Sequence, residues 1–304
     1  MSTNTQSSRS MPGRGFLRPG GWIAFCLLAL ASPAFAGWNG LNMTKGVTEL
    51  SAIIYDLHML ILWVCVVIAV LVFGAMIYSI IRFRKSRGAV PDTSMVHSNK
   101  AEIIWTLIPV FILVAMAIPA ARALIKIEDT RNSELTIKVT AYQWKWQYDY
   151  LDSGVTFFST LAESSNFARE KGSGIDPNTV DHYLLEVDHH MVIPVDTKVR
   201  LLLTGNDVIH AWWVPAFGMK KDAIPGFVNE MWIKATETGT YRGQCAELCG
   251  RDHGFMPIVV DVVSKDDFNR WLEANKPAPE VAPSPPAAEP AAPAAAAPSG
   301  PTNS

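Results

Sequence analysis

Two long uncharged stretches constrain this chain more than any other feature of its sequence. Met59 to Ile81 is 23 residues without an acidic or basic side chain, and an α-helix of that length reaches about 34 Å. Ile103 to Leu124 is a second such stretch, interrupted only by Arg122 near its end. The hydrocarbon core of a bilayer is about 30 Å thick. The sequence therefore predicts two transmembrane helices rather than a buried hairpin of a soluble protein.

The charges around these stretches predict their orientation. Residues 37–58 contain a single basic residue, Lys45, whereas five basic residues lie at the other ends of the two spans. These five are Arg82, Arg84, Lys85, Arg87 and Lys100. By the positive-inside rule, the connection between the spans is cytoplasmic and both outer flanks lie outside. Residues 37–130 are thus predicted to form a two-helix transmembrane hairpin that delivers the rest of the chain to the external face.

The N-terminal region has the pattern of an export signal. Three arginines precede an apolar run from Trp22 to Ala31, and Ala34-Phe35-Ala36 places small residues where signal peptidases cleave. Ten apolar residues are too few to cross a bilayer. Residues 1–36 are therefore interpreted as a signal peptide that is removed after Ala36, together with Cys26.

Residues 132–275 consist of short β-branched and aromatic runs separated by Gly, Asp, Asn and Pro, which is typical of a β-sandwich or barrel. Ser264, three residues before Asp267, predicts the N-cap of a closing helix. The predicted strands are Leu135–Thr140, Gln143–Tyr150, Tyr183–Val187, Lys198–Thr204, Val228–Ala235, Thr240–Gln244 and Pro257–Val263. The expected fold class is a membrane-anchored, mainly-β chain, with a two-helix hairpin followed by a β-sandwich or barrel domain.

Charge and composition limit the partners. The whole chain has a net charge of −2, which excludes a global basic field for nucleic acid. Residues 134–275 contain 20 acidic and 13 basic side chains, a net charge of −7. Such an acidic domain would steer a cationic partner. Residues 276–304 are almost entirely Pro, Ala, Ser and Glu, and they are predicted to be a disordered tail.

One loop carries the groups with metal-binding chemistry. The segment 243–256, GQCAELCGRDHGFM, places Cys245, Cys249, His253 and Met256 within twelve residues. A disulfide between the two cysteines is one reading, but it gives the histidine and the methionine no role. Zinc is another reading, although a thioether is outside its usual ligand set. Copper accepts thiolate, imidazole and a weak axial methionine together, so the loop favours copper.

The second cysteine bears on the number of metal ions. A mononuclear blue copper site uses one cysteine, whereas two thiolates allow two bridged copper ions, each completed by a histidine. The second histidine has to come from elsewhere in the fold. His210, which enters an aromatic strand at Trp212 and Trp213, is the candidate. A strand histidine alone is more often a core residue, and only its combination with the loop predicts a ligand.

This loop, with His210 upstream and two spans before it, resembles subunit II of bacterial haem–copper cytochrome c oxidases over roughly residues 45–275. The resemblance implies a cupredoxin-like domain that holds a binuclear copper centre, named CuA. It also implies that the side chain of Glu247 reaches a magnesium ion at the interface with subunit I. The implied copper ligands are the side chains of His210, Cys245, Cys249, His253 and Met256 and the backbone carbonyl of Glu247.

The resemblance implies an electron-transfer function. The chain would take single electrons from cytochrome c and pass them to haem in subunit I, where oxygen is reduced and protons are pumped. It would be one subunit of a proton-translocating oxidase, with subunit I, subunit III and membrane lipid as neighbours. The expected location is the bacterial inner membrane, with the C-terminal domain in the periplasm. The alternative is a membrane-anchored protein for copper delivery or sensing.

The resemblance also assigns roles to residues outside the loop. Trp144 would receive electrons from cytochrome c, and Glu102 would stand at the mouth of a proton channel into subunit I. Asn206 stands where animal relatives have an acid, so the charge of the docking surface is not identical. Phe227 replaces a basic residue of many members, which leaves the local salt bridges with subunit I open. The implied docking acids for cytochrome c are Asp149, Asp152, Asp188 and Asp207.

Overall fold

The computed structural model describes residues 40, 42–91, 93–94 and 97–277. The predicted signal peptide and the predicted tail from residue 278 onward lie outside the described residues. The chain divides into two units after Thr44, and every element described below belongs to the unit that begins at Lys45.

Two long helices come first. Helix α1 spans Glu49–Arg82 and helix α2 spans Asn99–Ile127, and both are long and apolar enough to cross a membrane. Each begins at a capping side chain, Thr48 or Ser98, that accepts a hydrogen bond from a backbone N–H three residues later. Both helices are longer than the uncharged stretches, because polar residues form additional turns at their ends. No residue in their most apolar windows is buried, as expected for surfaces that face lipid or other helices.

Ten strands and two short helices follow. The strands are β1 (Leu135–Tyr142), β2 (Lys145–Tyr150), β3 (Val155–Ser159), β4 (Met191–Pro194), β5 (Val199–Gly205), β6 (His210–Val214), β7 (Met219–Ala223), β8 (Asn229–Ile233), β9 (Gly239–Cys245) and β10 (Pro257–Val263). Helix α3 spans Glu163–Ala168, and helix α4 spans Lys265–Asn275. Ser264 caps α4 by accepting a hydrogen bond from Asp267 N, as predicted.

The strands form two five-stranded sheets. One has the order β3-β2-β1-β5-β8 and the other the order β4-β10-β9-β6-β7. Most neighbours are antiparallel, but β1 pairs with β5 and β10 pairs with β4 in parallel. Strand β5 alternates strictly between buried and partly buried residues, so one face of its sheet points into the core. The predicted fold class, a helix pair followed by a mainly-β domain, is confirmed.

One predicted strand is wrong, and several short strands were not predicted from the sequence. Tyr183–Val187 forms turns, with positive φ at His182 and Leu184, and only Val187 makes an isolated bridge. The segment is part of the long connection between β3 and β4, where Val187 pairs with Leu161. Strand β7 reads MKKDA and lies at a sheet edge, where exposed charges are normal and hide the alternation.

The start of α1 is built into the β domain. Thr48 forms an antiparallel bridge with Ala235, and its hydroxyl donates to Phe217 O at 2.8 Å. Thr48, Leu50 and Ser51 are buried. Gly218 has φ 72° and leaves no room for a side chain, since a Cβ there would lie 2.8 Å from Ser51 Cα. The first membrane helix is therefore a structural part of the domain rather than a flexible tether.

The end of α2 is attached to the same region. Lys126 Nζ pairs with Glu49 Oε1 at 2.6 Å, which ties the two helices together at their domain ends. Trp232 Nε1 donates to Lys126 O at 3.2 Å. Lys198 Nζ donates to the carbonyls of Asp129 and Arg131, both at 2.7 Å. Both helices thus meet the β domain through hydrogen-bonded contacts.

A charge network joins the segment before β4 to the second sheet. His190 Nδ1 lies 2.8 Å from Asp261 Oδ2, and its Nε2 lies 2.7 Å from Glu186 Oε1. Arg242 pairs with the other oxygen of Glu186. The hydrogen bond to Asp261, supported by the one to Glu186, outweighs partial burial and raises the pKa of His190.

We expect this network to make the stability of the domain depend on pH. A histidine whose pKa is higher in the folded chain stabilises the fold fully below its unfolded pKa of about 6.5. That contribution is lost as the pH rises through the folded value. His190→Gln should lower the free energy of unfolding by about 2 kcal/mol near pH 6, and the difference from wild type should shrink above the raised pKa.

The measurement is urea unfolding of the detergent-solubilised full-length chain, followed by tryptophan fluorescence over a pH series. His189→Gln is the matched control, because His189 is largely exposed and, among the described residues, its single ion-pair contact is with Asp188 at 3.4 Å. A constant difference between wild type and His190→Gln at every pH would show that the imidazolium contributes nothing.

Candidate metal centre

The two cysteines stand in the loop between β9 and β10. The antiparallel register pairs Pro257 with Gln244, so Cys245 is the last residue of β9 and Met256 directly precedes β10. Between them the chain makes a short helical turn at His253–Phe255. The β9–β10 pairing therefore brings the two ends of the loop together, so that Met256 lies near Cys245.

Strand β6 supplies the donor that is distant in sequence. Trp212 pairs with Cys245, and Ala246 N donates to Ala211 O at 3.0 Å. Because side chains alternate along a strand, His210 lies on the same face as Trp212 and Cys245. The β6–β9 pairing thus places the imidazole of His210 beside the loop. His210 is completely buried.

The donor atoms converge as two linked groups. Cys245 Sγ lies 3.9 Å from His210 Nδ1 and 3.3 Å from Glu247 O. Cys249 Sγ lies 3.5 Å from His253 Nδ1 and 3.6 Å from Met256 Sδ. The two sulfur atoms are 3.8 Å apart and are not joined by a disulfide. Each thiol therefore has its own histidine and one further donor.

The two thiols resist simultaneous ionisation. At Cys245, burial raises the pKa, but hydrogen bonding to His210 and to the backbone of Ala211 outweighs it and lowers the pKa. At Cys249, burial and the adjacent negative charge of Cys245 raise the pKa. The pair releases its first proton readily and its second one with difficulty. A metal ion bound to both sulfur atoms would favour their ionised forms.

Asp207 orients the ring of His210. Its Oδ1 lies 2.9 Å from His210 Nε2, and the carboxylate also accepts from the backbone N–H groups of Gln143 and Val208, both at 2.7 Å. A carboxylate only accepts, so Nε2 carries a hydrogen, and Nδ1 is the ring nitrogen that faces Cys245. Partial burial raises the pKa of Asp207, but the contact with His210 and the two N–H groups lower it overall.

The donor set fits copper better than other biological metals. Two thiols, two imidazoles, a thioether and a carbonyl are mostly soft ligands, which copper accepts. His210, Cys245 and Cys249 can place their ligand atoms within 4.8 Å of one another. All three are buried, as is Met256. This arrangement keeps the possible ligand atoms away from water and close together.

Trp144 lies against the metal loop. Its Nε1 donates to Cys249 O at 3.1 Å, and Gln143 Nε2 donates to the same oxygen at 2.8 Å. The guanidinium of Arg251 lies 5.5 Å from the centre of the Trp144 ring. The indole is half-buried, so one edge contacts the loop and another remains accessible. A direct hydrogen bond therefore connects the protein surface to the backbone of a metal-loop cysteine.

The other predicted residues are dispersed. Asp149 accepts hydrogen bonds from Thr156 and Gln147, and Asp188 accepts from Thr160. Asp152 is exposed in the turn after β2. Glu247 exposes its side chain while its carbonyl faces Cys245, and Glu102 lies in the first turn of α2, far along the chain from the loop. Of the predicted residues, the structure groups the loop residues, His210, Trp144 and Asp207.

Two contacts of the site were not predicted. Sequence reasoning placed Asp207 on a docking surface, whereas its carboxylate is bonded to His210; the spacing of three residues between them was the available signal. Gln143 was predicted only as the first residue of a strand, and nothing in its sequence context indicates the hydrogen bond to Cys249 O. Both contacts arise because the β1–β2 turn, the β5–β6 connection and the metal loop lie next to one another.

Comparison with known proteins gives consistent family matches. The family model for the periplasmic domain of cytochrome c oxidase subunit II matches residues 135–263, and the model for the transmembrane domain of the same subunit matches residues 36–122. A probable cytochrome c oxidase subunit 2 of Rickettsia prowazekii (strain Madrid E) is 43% identical over 219 residues, which cover 72% of this chain and 67% of the relative. Cytochrome c oxidase subunit 2 of Cereibacter sphaeroides is 35% identical over 243 residues, 77% of this chain and 80% of the relative.

Among solved structures, the periplasmic domain of subunit II of cytochrome oxidase from Bradyrhizobium japonicum is 44% identical. The match covers 48% of this chain and 96% of that chain, with a TM-score of 0.41.

The position of Asp207 generates a prediction about metal affinity. Asp207→Ala removes the acceptor that holds the His210 ring, and such partners typically contribute about 10–100-fold to metal affinity. We expect a copper affinity lower by about that factor, measured by competition with a chelator. Asp266→Ala, which changes an exposed acid of α4, is the control. Unchanged copper affinity in Asp207→Ala would contradict the positioning role.

Proposed function

Because the chain belongs to the cytochrome c oxidase subunit II family, we propose that its metal loop and β6 together hold a binuclear copper centre. The observation that carries this proposal is the division of the donors into two similar groups around two adjacent thiols. The proposed ligands are His210, Cys245, Cys249, His253 and Met256 through their side chains and Glu247 through its carbonyl.

The geometry favours two ions over one. A single tetrahedral ion would use both thiols and both histidines, and it would leave the Met256 sulfur and the Glu247 carbonyl without a purpose. Two ions would give every donor a role: both ions would share Cys245 and Cys249, each histidine would serve one ion, and the thioether and the carbonyl would be weaker ligands. When bound, such a pair supplies a one-electron carrier whose charge change is shared between the ions.

The protein holds this site rigid and dry. Cys245, Cys249, Met256 and His210 are each exposed by 4% or less. The loop is closed by the β9–β10 ladder on one side and by the Ala246–Ala211 hydrogen bond on the other. Ligands fixed in this way move little when an electron arrives or leaves, which favours fast electron relay over exchange of the metal with a carrier.

Electrons are proposed to arrive through Trp144. Its indole combines an accessible edge with a hydrogen bond to Cys249 O, which is the shortest described connection from an aromatic surface group to the loop. Trp146, the other tryptophan of this segment, is completely buried and donates to Met256 O, so it belongs to the core. Cytochrome c is the proposed donor.

The acidic surface supports a cationic donor. Asp149, Asp152 and Asp188 belong to a domain with a net charge of −7, and complementary charge speeds the encounter of two proteins. Arg251, which is largely exposed beside Trp144, is paired with Asp252 at 3.2 Å, so its charge is balanced locally. The acidic excess of the domain therefore supports a cationic donor.

The remaining partners follow from the family. Subunit I is the proposed electron acceptor through its haem, and it is where oxygen is reduced; subunit III is a further neighbour. The exposed carboxylate of Glu247 is proposed to bind magnesium shared with subunit I. Among the described residues it has no hydrogen-bond or ion-pair partner, so it is available to a metal.

Membrane placement completes the proposal. Two helices anchor the chain, and the basic residues between them support a cytoplasmic connection and a periplasmic β domain. Glu102 then lies on the cytoplasmic side, in the first turn of α2, and is proposed to stand at the mouth of a proton channel into subunit I.

Electron paramagnetic resonance of the copper-loaded full-length chain tests the binuclear centre. We expect a hyperfine pattern from one electron shared over two copper nuclei, with two copper ions per chain by elemental analysis. A single-nucleus pattern would rule out the proposed relay, and so would a silent spectrum after oxidation. A silent spectrum is what a cuprous delivery site would give.

Removing one bridging thiol should abolish the hyperfine pattern of an electron shared over two copper nuclei. Cys249→Ser leaves Cys245 and His210 in place, so one copper ion at most remains and its spectrum becomes mononuclear. Cys65→Ser is the matched control, since Cys65 is a free cysteine on the exposed surface of α1. If Cys249→Ser kept the two-copper pattern, the bridging assignment would be wrong.

Changing Trp144 should affect electron arrival and leave the copper site intact. Trp144→Phe removes the Nε1 donor to Cys249 O and should slow reduction by cytochrome c by an order of magnitude or more in stopped-flow experiments on the assembled oxidase. The copper spectrum should not change. Trp213→Phe, on β6 beside Lys220, is the control and should be reduced at the wild-type rate. Equal rates for both variants would place the arrival point elsewhere.

A further inference from the structure

A cavity with both charged and apolar walls lies where α1 and α2 approach the β domain. Its volume is about 390 Å³. Asp56, Arg122 and Lys126 supply its charged side, and Ile53, Leu60 and Pro119 are among its apolar lining. Neither the copper centre nor the proposed electron path uses any of these groups.

Two of these charges are unsatisfied. Among the residues that the structure describes, Arg122 and Asp56 have no ion-pair or hydrogen-bond partner, although both border the same cavity. Lys126, in contrast, is paired with Glu49 at 2.6 Å. A charged side chain next to apolar surface is costly unless a partner of opposite charge reaches it. The cavity therefore presents one free cation and one free anion.

The depth of the cavity corresponds to the lipid headgroup region. Asp56 lies one helical turn before the uncharged stretch that begins at Met59, and Arg122 lies two residues before the end of the second stretch at Leu124. Both are on the side of the β domain, because α1 begins and α2 ends there. Phospholipid phosphates and amines occupy this boundary between hydrocarbon and water.

From these observations we infer that the cavity binds the headgroup of a phosphatidylethanolamine molecule from the outer leaflet. The Arg122 guanidinium binds the phosphate, for which its planar fork is well suited. The Asp56 carboxylate accepts hydrogen bonds from the primary ammonium group. A purely anionic headgroup would leave Asp56 unpaired, and a choline headgroup has no N–H to donate.

The seam between the helices can take an acyl chain of the same lipid. A second cavity of about 640 Å³ lies along it, lined by apolar side chains and Cys65. Val64 on α1 is one turn beyond Leu60, and Met116 on α2 is one turn before Pro119, so the second lining begins where the first one ends. The first cavity would thus hold the headgroup of the lipid, and the second cavity would hold one of its acyl chains.

The first test measures headgroup preference without changing the protein. The full-length chain in detergent is titrated with phosphatidylethanolamine, phosphatidylcholine or phosphatidylglycerol of identical acyl chains, and bound lipid is counted by native mass spectrometry. We expect phosphatidylethanolamine to bind about tenfold more tightly than phosphatidylcholine, the effect of one charge-assisted hydrogen bond worth about 1.4 kcal/mol. Equal binding of all three lipids would overturn the inference.

Variants assign the two charges separately. Arg122→Gln should weaken binding of both zwitterionic lipids, whereas Asp56→Asn should abolish the preference for phosphatidylethanolamine and leave phosphatidylcholine unaffected. Arg84→Gln, at the other end of the hairpin, is the control and should behave as wild type. An unchanged lipid count in Arg122→Gln would contradict the assignment. The copper spectrum of each variant reports on its fold.

The assembled oxidase provides the last arm of the test. The wild-type complex should retain one more phosphatidylethanolamine molecule than the Arg122→Gln complex after extensive detergent washing. Equal retention would mean that a helix of another subunit fills the seam, and the lipid site would be refuted. This outcome is independent of the copper proposal, which is tested by the spectrum and not by lipid content.

Discussion

The pairing of β6 with β9 is the interaction on which the metal centre depends. The loop alone supplies two thiols, one imidazole and one thioether, but the register that sets Trp212 opposite Cys245 adds His210 to them. The same pairing closes the loop through the Ala246–Ala211 hydrogen bond. A shift of one residue would turn His210 to the other face of its sheet. The site is therefore a property of the sheet as much as of the loop.

The sequence predicts the parts of the site that are local in the chain. The cysteines, His253 and Met256 lie within twelve residues, so their spacing alone indicates a soft metal site. The role of Asp207 toward His210 and that of Gln143 toward Cys249 were not predictable, because both need the register between distant strands.

The prediction of a strand at Tyr183–Val187 was wrong for a related reason. Its apolar pattern resembles a strand, but positive φ values at two positions bend it away from any ladder. Edge strands such as β7 were hidden by their exposed charges.

The joint between the membrane helices and the domain gives this site a fixed position. Thr48 and Ser51 are buried in the domain, and Trp232 and Lys198 hold the end of α2. Electron transfer between proteins depends on the distance between their redox centres, so a rigid joint serves a relay better than a flexible tether. The lipid cavity lies directly below this joint, and its occupant would fill the gap that the two helices leave as they enter the domain.

The central claim is that this chain receives electrons before any haem does. Reduced cytochrome c mixed rapidly with the oxidised, assembled oxidase tests it most directly, with the near-infrared copper band and the haem bands recorded together. The account predicts that the copper band is lost first and that haem reduction follows as the copper band returns. Haem reduction with no earlier change in the copper band would contradict it.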